Sequence, residues 1–347
     1  MTSARRPSRT RAVVSAAASA SPVTRRELLV SLGGAGAVSG LRTSRFRDDS
    51  LTDGSRTPLE DETLRIRVYP GPVPLHVRLR DGLDADGAGT HWTGVHEDAL
   101  EAVSDAVAQI LSYARERSRF EDLEWQVERG ESVRLPLSAV SRPTETVSPS
   151  LETVLEGFRD RLAERNALAP TSRDATATAT CHLLLSWAPF NHRLGYGGTL
   201  SPTARVGADG GDGDGSTPDA LTVANVGATE RWDSRPVTRN MAIHEVLHTL
   251  VSSDVAEDIG GTRCDHDLGT ATRVDDATVR VSPIATAYAG PDEFGGGTRF
   301  HGTGCYDHEE FHRHDGLEGV AEWEYTTELS DATLEATTRY LETIGYS

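Results

Sequence analysis

Apolar and polar residues alternate cleanly at Leu64-Arg65-Ile66-Arg67-Val68-Tyr69, which predicts a strand, ended by Pro70-Gly71-Pro72. Leu100, Val103, Val107, Ile110 and Ala114 recur at helical spacing, so an amphipathic helix is expected over 97–117. Leu123, Trp125 and Val127 alternate as a second strand, which Val133, Leu135 and Leu137 can continue. Leu151, Val154, Leu155, Phe158 and Leu162 mark a second helical stripe over 150–167. The run from Cys181 to Trp187 is wholly apolar at its centre and reads as a buried strand. Leu194–Leu200 is Gly-rich, and Ala220–Val226 is another strand. Ser234 is a suitable cap, with Pro236 in the first turn, for a helix buried through Val237, Met241, Leu247 and Val251 and ending near 252–254. Residues 255–268 read as a loop, Val279 and Val281 as a short extended piece, and 290–316 as irregular. Ser330 caps a last helix, with Leu334, Leu341 and Ile344 inward and Gly345 as its stop. The order of elements predicts an α/β (α+β) chain with an irregular C-terminal part that ends in a helix.

Charge divides the chain. Residues 1–47 hold nine Arg and one acidic residue, a charge of +8. The other 300 residues hold 26 Arg and 52 acidic residues, a charge of −26, and the chain contains no lysine. An acidic, Lys-free body rich in Asp, Gly and Thr is similar to proteins of salt-in halophiles. Molar salt shortens the Debye length to about 3 Å and screens the self-repulsion. The same charge excludes nucleic acid as a partner, because phosphates would be repelled.

Arg25-Arg26 precede the weakly apolar run Val30–Val38, a pattern that resembles a twin-arginine export signal over 1–41. Export to the cell surface or beyond follows. Contact with a membrane would then come only through the export machinery or an uncleaved N-terminal anchor, since the run is too short for an ordinary transmembrane helix. Residues 42–62 are polar and read as a disordered linker, so the folded body is placed at 63–347. Of the three cysteines, Cys181 reads as a buried thiol, whereas Cys264 and Cys305 are free to pair outside the cell.

The chemistry is concentrated in His244-Glu245-Val246-Leu247-His248. Residues four apart share one face of a helix, so His244 and His248 can present two imidazoles to one Zn²⁺, with Glu245 beside them as general base. A third ligand is needed. Asp254 lies six residues beyond His248. His266 lies in a Gly-rich segment whose Gly260-Gly261 supply a turn and whose flanking acidic residues can orient an imidazole. A downstream Glu is the remaining alternative. Asp209–Gly215 has some likeness to a calcium loop, but no Glu stands where an EF-hand needs one, so Ca²⁺ is a secondary cofactor candidate. His301, His308, His312 and His314, with Asp307, Glu309 and Glu310, read as a solvated acidic loop, with a second metal site as the alternative.

On these residues, 64–347 resembles the metzincin clan of zinc endopeptidases. The resemblance implies a twisted, mostly parallel sheet backing the zinc helix, with Gly195–Leu200 as the one antiparallel edge strand, lining a cleft for a peptide or protein substrate. It implies an upper part over 63–253 and a lower part over 254–347. The clan's helix motif continues with Gly and then His or Asp; here these positions are Val251 and Asp254, and without Gly the helix is free to run on past the turn. The clan's methionine beneath the metal has no counterpart, since Met1 and Met241 are the only methionines. Ile284 in Ser282–Tyr288 is the apolar substitute, and Tyr288 the candidate for stabilising the reaction intermediate, a half-buried aromatic being the plainer reading. Two other readings stand against a zinc endopeptidase: a degenerate zincin that binds peptide or metal without catalysis, and an exported binding domain without metal.

Overall fold

The computed structural model describes residues 63–75, 77, 92–117, 119, 123–136, 150–168, 180–187, 196–199, 205–206, 219–286 and 307–344, all within the unit formed by 49–347. The export-like segment, the linker, the Gly/Asp stretch at 207–217, Tyr288, His301 and Cys305 lie outside the described residues.

A five-stranded sheet carries the molecule. Its strands are β1 (Thr63–Pro70), β2 (Glu124–Arg129), β3 (Thr180–Leu185), β4 (Gly197–Thr199) and β5 (Ala220–Ala224). They lie in the order β2-β1-β3-β5-β4, all parallel except β4, which runs antiparallel to β5 at the edge. Parallel neighbours need crossover helices, and the helices cover both faces. Leu64, Ile66, Val68, Cys181, Leu183 and Leu185 point to one face and share a core with α1 (Gly94–Glu116), α4 (Arg235–Leu247) and α6 (Asp331–Thr343). Tyr69, Leu184, Leu221 and Val223 point to the other, against Val154, Leu155, Phe158 and Leu162 of α2 (Leu151–Glu164). The period of two in the strands thus decides which core each residue joins. Between β5 and α4, Asn225 caps the short helix α3 (Val226–Trp232), its side chain accepting from Ala228 N, so the strand stops at Ala224 instead of reaching Val226.

Three expectations are corrected here. Val133 and Leu135 are buried but extend no strand; Val133 N donates to Pro70 O in a coil. Residues 253–260 are a helix, α5 (Ser253–Gly260), because Ser252 Oγ accepts from Val255 N and Asp254 sits at the dipole-favoured end. The lower part is also less irregular than its composition suggests. It holds a second sheet of four strands, β6 (Thr270–Arg273), β7 (Thr278–Val281), β8 (Arg313–His314) and β9 (Glu322–Tyr325), in the order β8-β6-β7-β9. The extended piece expected at Val279 and Val281 is β7, whereas β6, β8 and β9, of two to four residues, are too short to show a clear alternation in the sequence.

Candidate metal centre

Helix α4 is fixed at its start by Arg235, which donates to Glu230 and Asp98, and by Thr238, whose hydroxyl donates to Glu230. Its C-terminus decides the geometry of the site. The helix ends at Leu247 with His248 as its cap, and the next turns tighten: Thr249 N donates to Val246 O and Leu250 N to Leu247 O. Two orphan carbonyls beyond this point are taken by a neighbouring segment, Thr249 O by Val206 N and Val251 O by Arg205 Nε. The expectation that the helix runs on to 252–254 without a glycine is therefore corrected. Val251 has no left-handed backbone and its side chain is buried in the core. The reversal comes one helix later, at Gly261, which caps α5 at φ +80°. That turn brings 262–268 back, through a 3-10 turn at Asp265–Leu268, toward α4.

The structure brings together His244, His248 and His266. Their ligand nitrogens lie within 4.8 Å of one another. The ring centroids are 4.6, 5.2 and 4.9 Å apart, and His248 meets the other two rings edge-on. Asp254 is not part of this group. Its side chain is 83% exposed and paired with Arg263 at 2.7 Å, pointing into solvent from the first turn of α5. His312 and His314, from the second histidine cluster, belong to no metal-competent group among the described residues. Cys264, beside the site, is disulfide-bonded, and Cys181 is free and buried.

Partners fix the tautomers. Pro283 O and the Asp265 carboxylate can only accept. His244 therefore donates from Nδ1 to Pro283 O at 2.8 Å, and His248 donates from Nδ1 to Asp265 Oδ2 at 2.7 Å. Both rings then turn Nε2 toward each other, 2.9 Å apart. Two lone pairs at that distance repel, so a proton or a cation has to lie between them. A tetrahedral zinc with nitrogen ligands at about 2.0–2.1 Å holds those nitrogens roughly 3.3 Å apart, somewhat wider than the 2.9 Å here. With the His266 nitrogen within 4.8 Å of both, the three imidazoles form a group that could hold a metal ion.

Electrostatics treat the rings differently. Burial and the two neighbouring histidines hold His244 well below the usual imidazole value, so it is a neutral imidazole. Burial opposes charge on His248, but the Asp265 carboxylate outweighs it and raises His248 to about 9. Asp265, although partly buried, is held well below the usual carboxylate range by His248.

Glu245 is 2% exposed, beneath the edge of the large sheet. Thr222 Oγ1, on β5, lies 3.2 Å from Glu245 Oε2 and 3.1 Å from Gly198 O, and its one proton serves either acceptor. A Cβ on Gly197 would stand 2.3 Å from Glu245 Oε1, so only glycine lets β4 pass this close. Burial raises Glu245 to about 7, partly offset by His248 and the Thr222 hydroxyl.

Ile284 lies in a 3-10 turn at Pro283–Ala285 and shares the core with Ile243, Leu247 and Leu268. The sequence reading missed Asp265 as a partner of His248, the Pro283 carbonyl, and Thr222. Thr222 left one sign: it is the polar residue at the middle of the apolar strand Ala220–Ala224. No protein-family model matches this chain, and no curated protein matches it.

Proposed function

We propose that this chain is an exported, zinc-dependent endopeptidase. One observation carries the reading: three imidazoles converge, those of His244 and His248 with their tautomers fixed, beside Glu245, which is buried under an edge strand with its basicity raised to about 7. Three imidazole nitrogens suit zinc among the common metals once His248 gives up its proton to the ion, and a zinc ion so held would supply a Lewis acid and lower the pKa of water at the site. Glu245, close to neutrality in basicity, takes a proton from the attacking water and returns it to the leaving amine. Thr222 holds one oxygen of that carboxylate. Strand β4 ends the large sheet, and a peptide substrate would add to it as a further strand through main-chain hydrogen bonds. Metzincin-like kinship, export through the twin-arginine route and a salt-loving source belong to the same reading. They rest on the motif, on Arg25-Arg26 and on the acidic, Lys-free body.

The test measures bound zinc and peptide hydrolysis together, at molar salt, on wild type and Glu245→Gln. One zinc per chain in both, chelator-sensitive cleavage in wild type, and a loss of 10²-fold or more (about the contribution of a positioned acid–base) in the variant support the reading. Zinc without cleavage in wild type reduces the chain to a peptide- or metal-binding domain. Absence of zinc uptake returns it to a binding domain without metal.

A further inference from the structure

We infer that Asp265 is a positioning residue that orients His248 and ties it to the turn that carries His266, an inference that rests on the metal site proposed above. Its carboxylate joins two elements through one hydrogen bond. Oδ2 accepts from His248 Nδ1 at 2.7 Å, fixing the ring at the end of α4, and Asp265 itself precedes His266 in the 3-10 turn; Oδ1 stands 3.7 Å from His266 Nδ1, too far for a hydrogen bond. An imidazole held this way has one tautomer and one ring orientation, and its other nitrogen is the more basic ligand for it. The carboxylate is itself held. Its turn, Asp265–Leu268, is tied at the far end by Ser330 Oγ and Thr333 Oγ1, which donate to Leu268 O at the start of α6. The near end follows the disulfide-bonded Cys264. Gly269 seats the turn against Pro283–Ala285, since a Cβ there would meet Ala285 Cβ at 2.5 Å. His244 needs none of this, because Pro283 O orients it separately. Asp265 thus locks the HExxH helix to the returning loop that delivers the third ligand.

The experiment is zinc affinity, by competition with a chromophoric chelator in molar salt, on wild type, Asp265→Asn and Asp254→Asn, together with the absorption spectrum of each loaded with Co²⁺. The expected result is a 10–100-fold weaker affinity in Asp265→Asn, the usual range for loss of such a partner, with a changed cobalt spectrum. Asp254→Asn should match wild type in both. An effect on folding alone would lower the melting temperature of the zinc-free protein and leave the cobalt spectrum unmoved. Affinity in Asp265→Asn within twofold of wild type overturns this inference and leaves the zinc reading standing; no zinc uptake by wild type overturns both. If Asp265→Asn does not fold, NMR of the zinc-loaded wild type decides. A slowly exchanging proton assigned to His248 Nδ1 supports the bond, and a freely exchanging one overturns it.

Discussion

Gly197 shows how far one residue reaches into the chemistry. Its missing side chain leaves room for Glu245 Oε1 and for Val223 O, either of which a Cβ would meet at 2.3 Å. Because one of the two obstacles is the Val223 carbonyl, moving Glu245 alone cannot clear the clash, and β4 has to part from β5 as well. On the endopeptidase reading proposed above, Gly197→Ala is therefore expected to keep zinc but lose about 10²-fold in peptide hydrolysis, the order of loss for a catalytic group misplaced by about 1 Å. Unchanged turnover in that variant, measured beside its zinc content, would separate β4 from the reaction. Gly261 acts differently. Nothing lies within 4 Å of a Cβ there, so Gly261→Ala meets only the left-handed backbone at φ +80°. The cost is about 1–2 kcal/mol. Since that turn returns the chain to His266, zinc affinity should fall with stability, which calorimetry and chelator competition can read on one sample.

At the scale of elements, the end of α4 is set by its neighbours. Residues 205–206 take two carbonyls beyond the helix, and the tightened turns after Val246 close the rest. A glycine at 251 is thus unnecessary, and the valine there is a core residue. Val251→Gly should cost roughly 2–4 kcal/mol, from lost burial and added backbone freedom, while leaving zinc stoichiometry at its wild-type value. A variant that lost zinc at full stability would show that the turn, and not the core, depends on this residue. On the far face of the sheet, Phe158 of α2 is fully buried against Tyr69, ring centroids 5.5 Å apart. Phe158→Ala is expected to cost about 3–5 kcal/mol, with chemical denaturation as the check. The second sheet presents Pro283 to α4 in part through Asn240, which donates to Thr326 O and accepts from Thr286.

For the molecule as a whole, alkaline titrations follow from burial. Cys181, Tyr69 and Tyr340 are each raised to about 12 by burial, the thiol from 9.0 and the phenols from 10.0. Each folded-state value lies above the unfolded one. Their contributions are thus complete below pH 9 and are lost as pH rises toward 12. Stability should decline over that window, and Cys181→Ala should decline less steeply than wild type whatever its starting stability. Denaturant midpoints from pH 8 to 11 test this; parallel curves would mean that the thiol takes no part. The charge of −26 on residues 48–347 acts over longer range. Raising salt from about 0.1 M to molar levels shortens screening from about 10 Å to about 3 Å, so the melting temperature should rise with salt.

The sequence alone determined what depends on local periodicity and on residue chemistry. Period-two runs placed β1 and β2, an apolar run placed β3, helical stripes placed α1, α2 and α6, and His244 and His248 share one helix face, with Glu245 beside them, because four residues make nearly one turn. It could not choose between Asp254 and His266, because that choice depends on where α5 stops and which way Gly261 sends the chain. Nor could it find Asp265, Thr222 and Pro283 as partners of the site. They come from a 3-10 turn, a buried strand and a turn beneath the helix, and their roles are hydrogen bonds between residues 17 to 39 positions apart. Apart from β7, foreshadowed by Val279 and Val281, the short strands of the lower sheet were hidden for a related reason, since so few residues carry little period and their pairing is decided by neighbours distant in the chain.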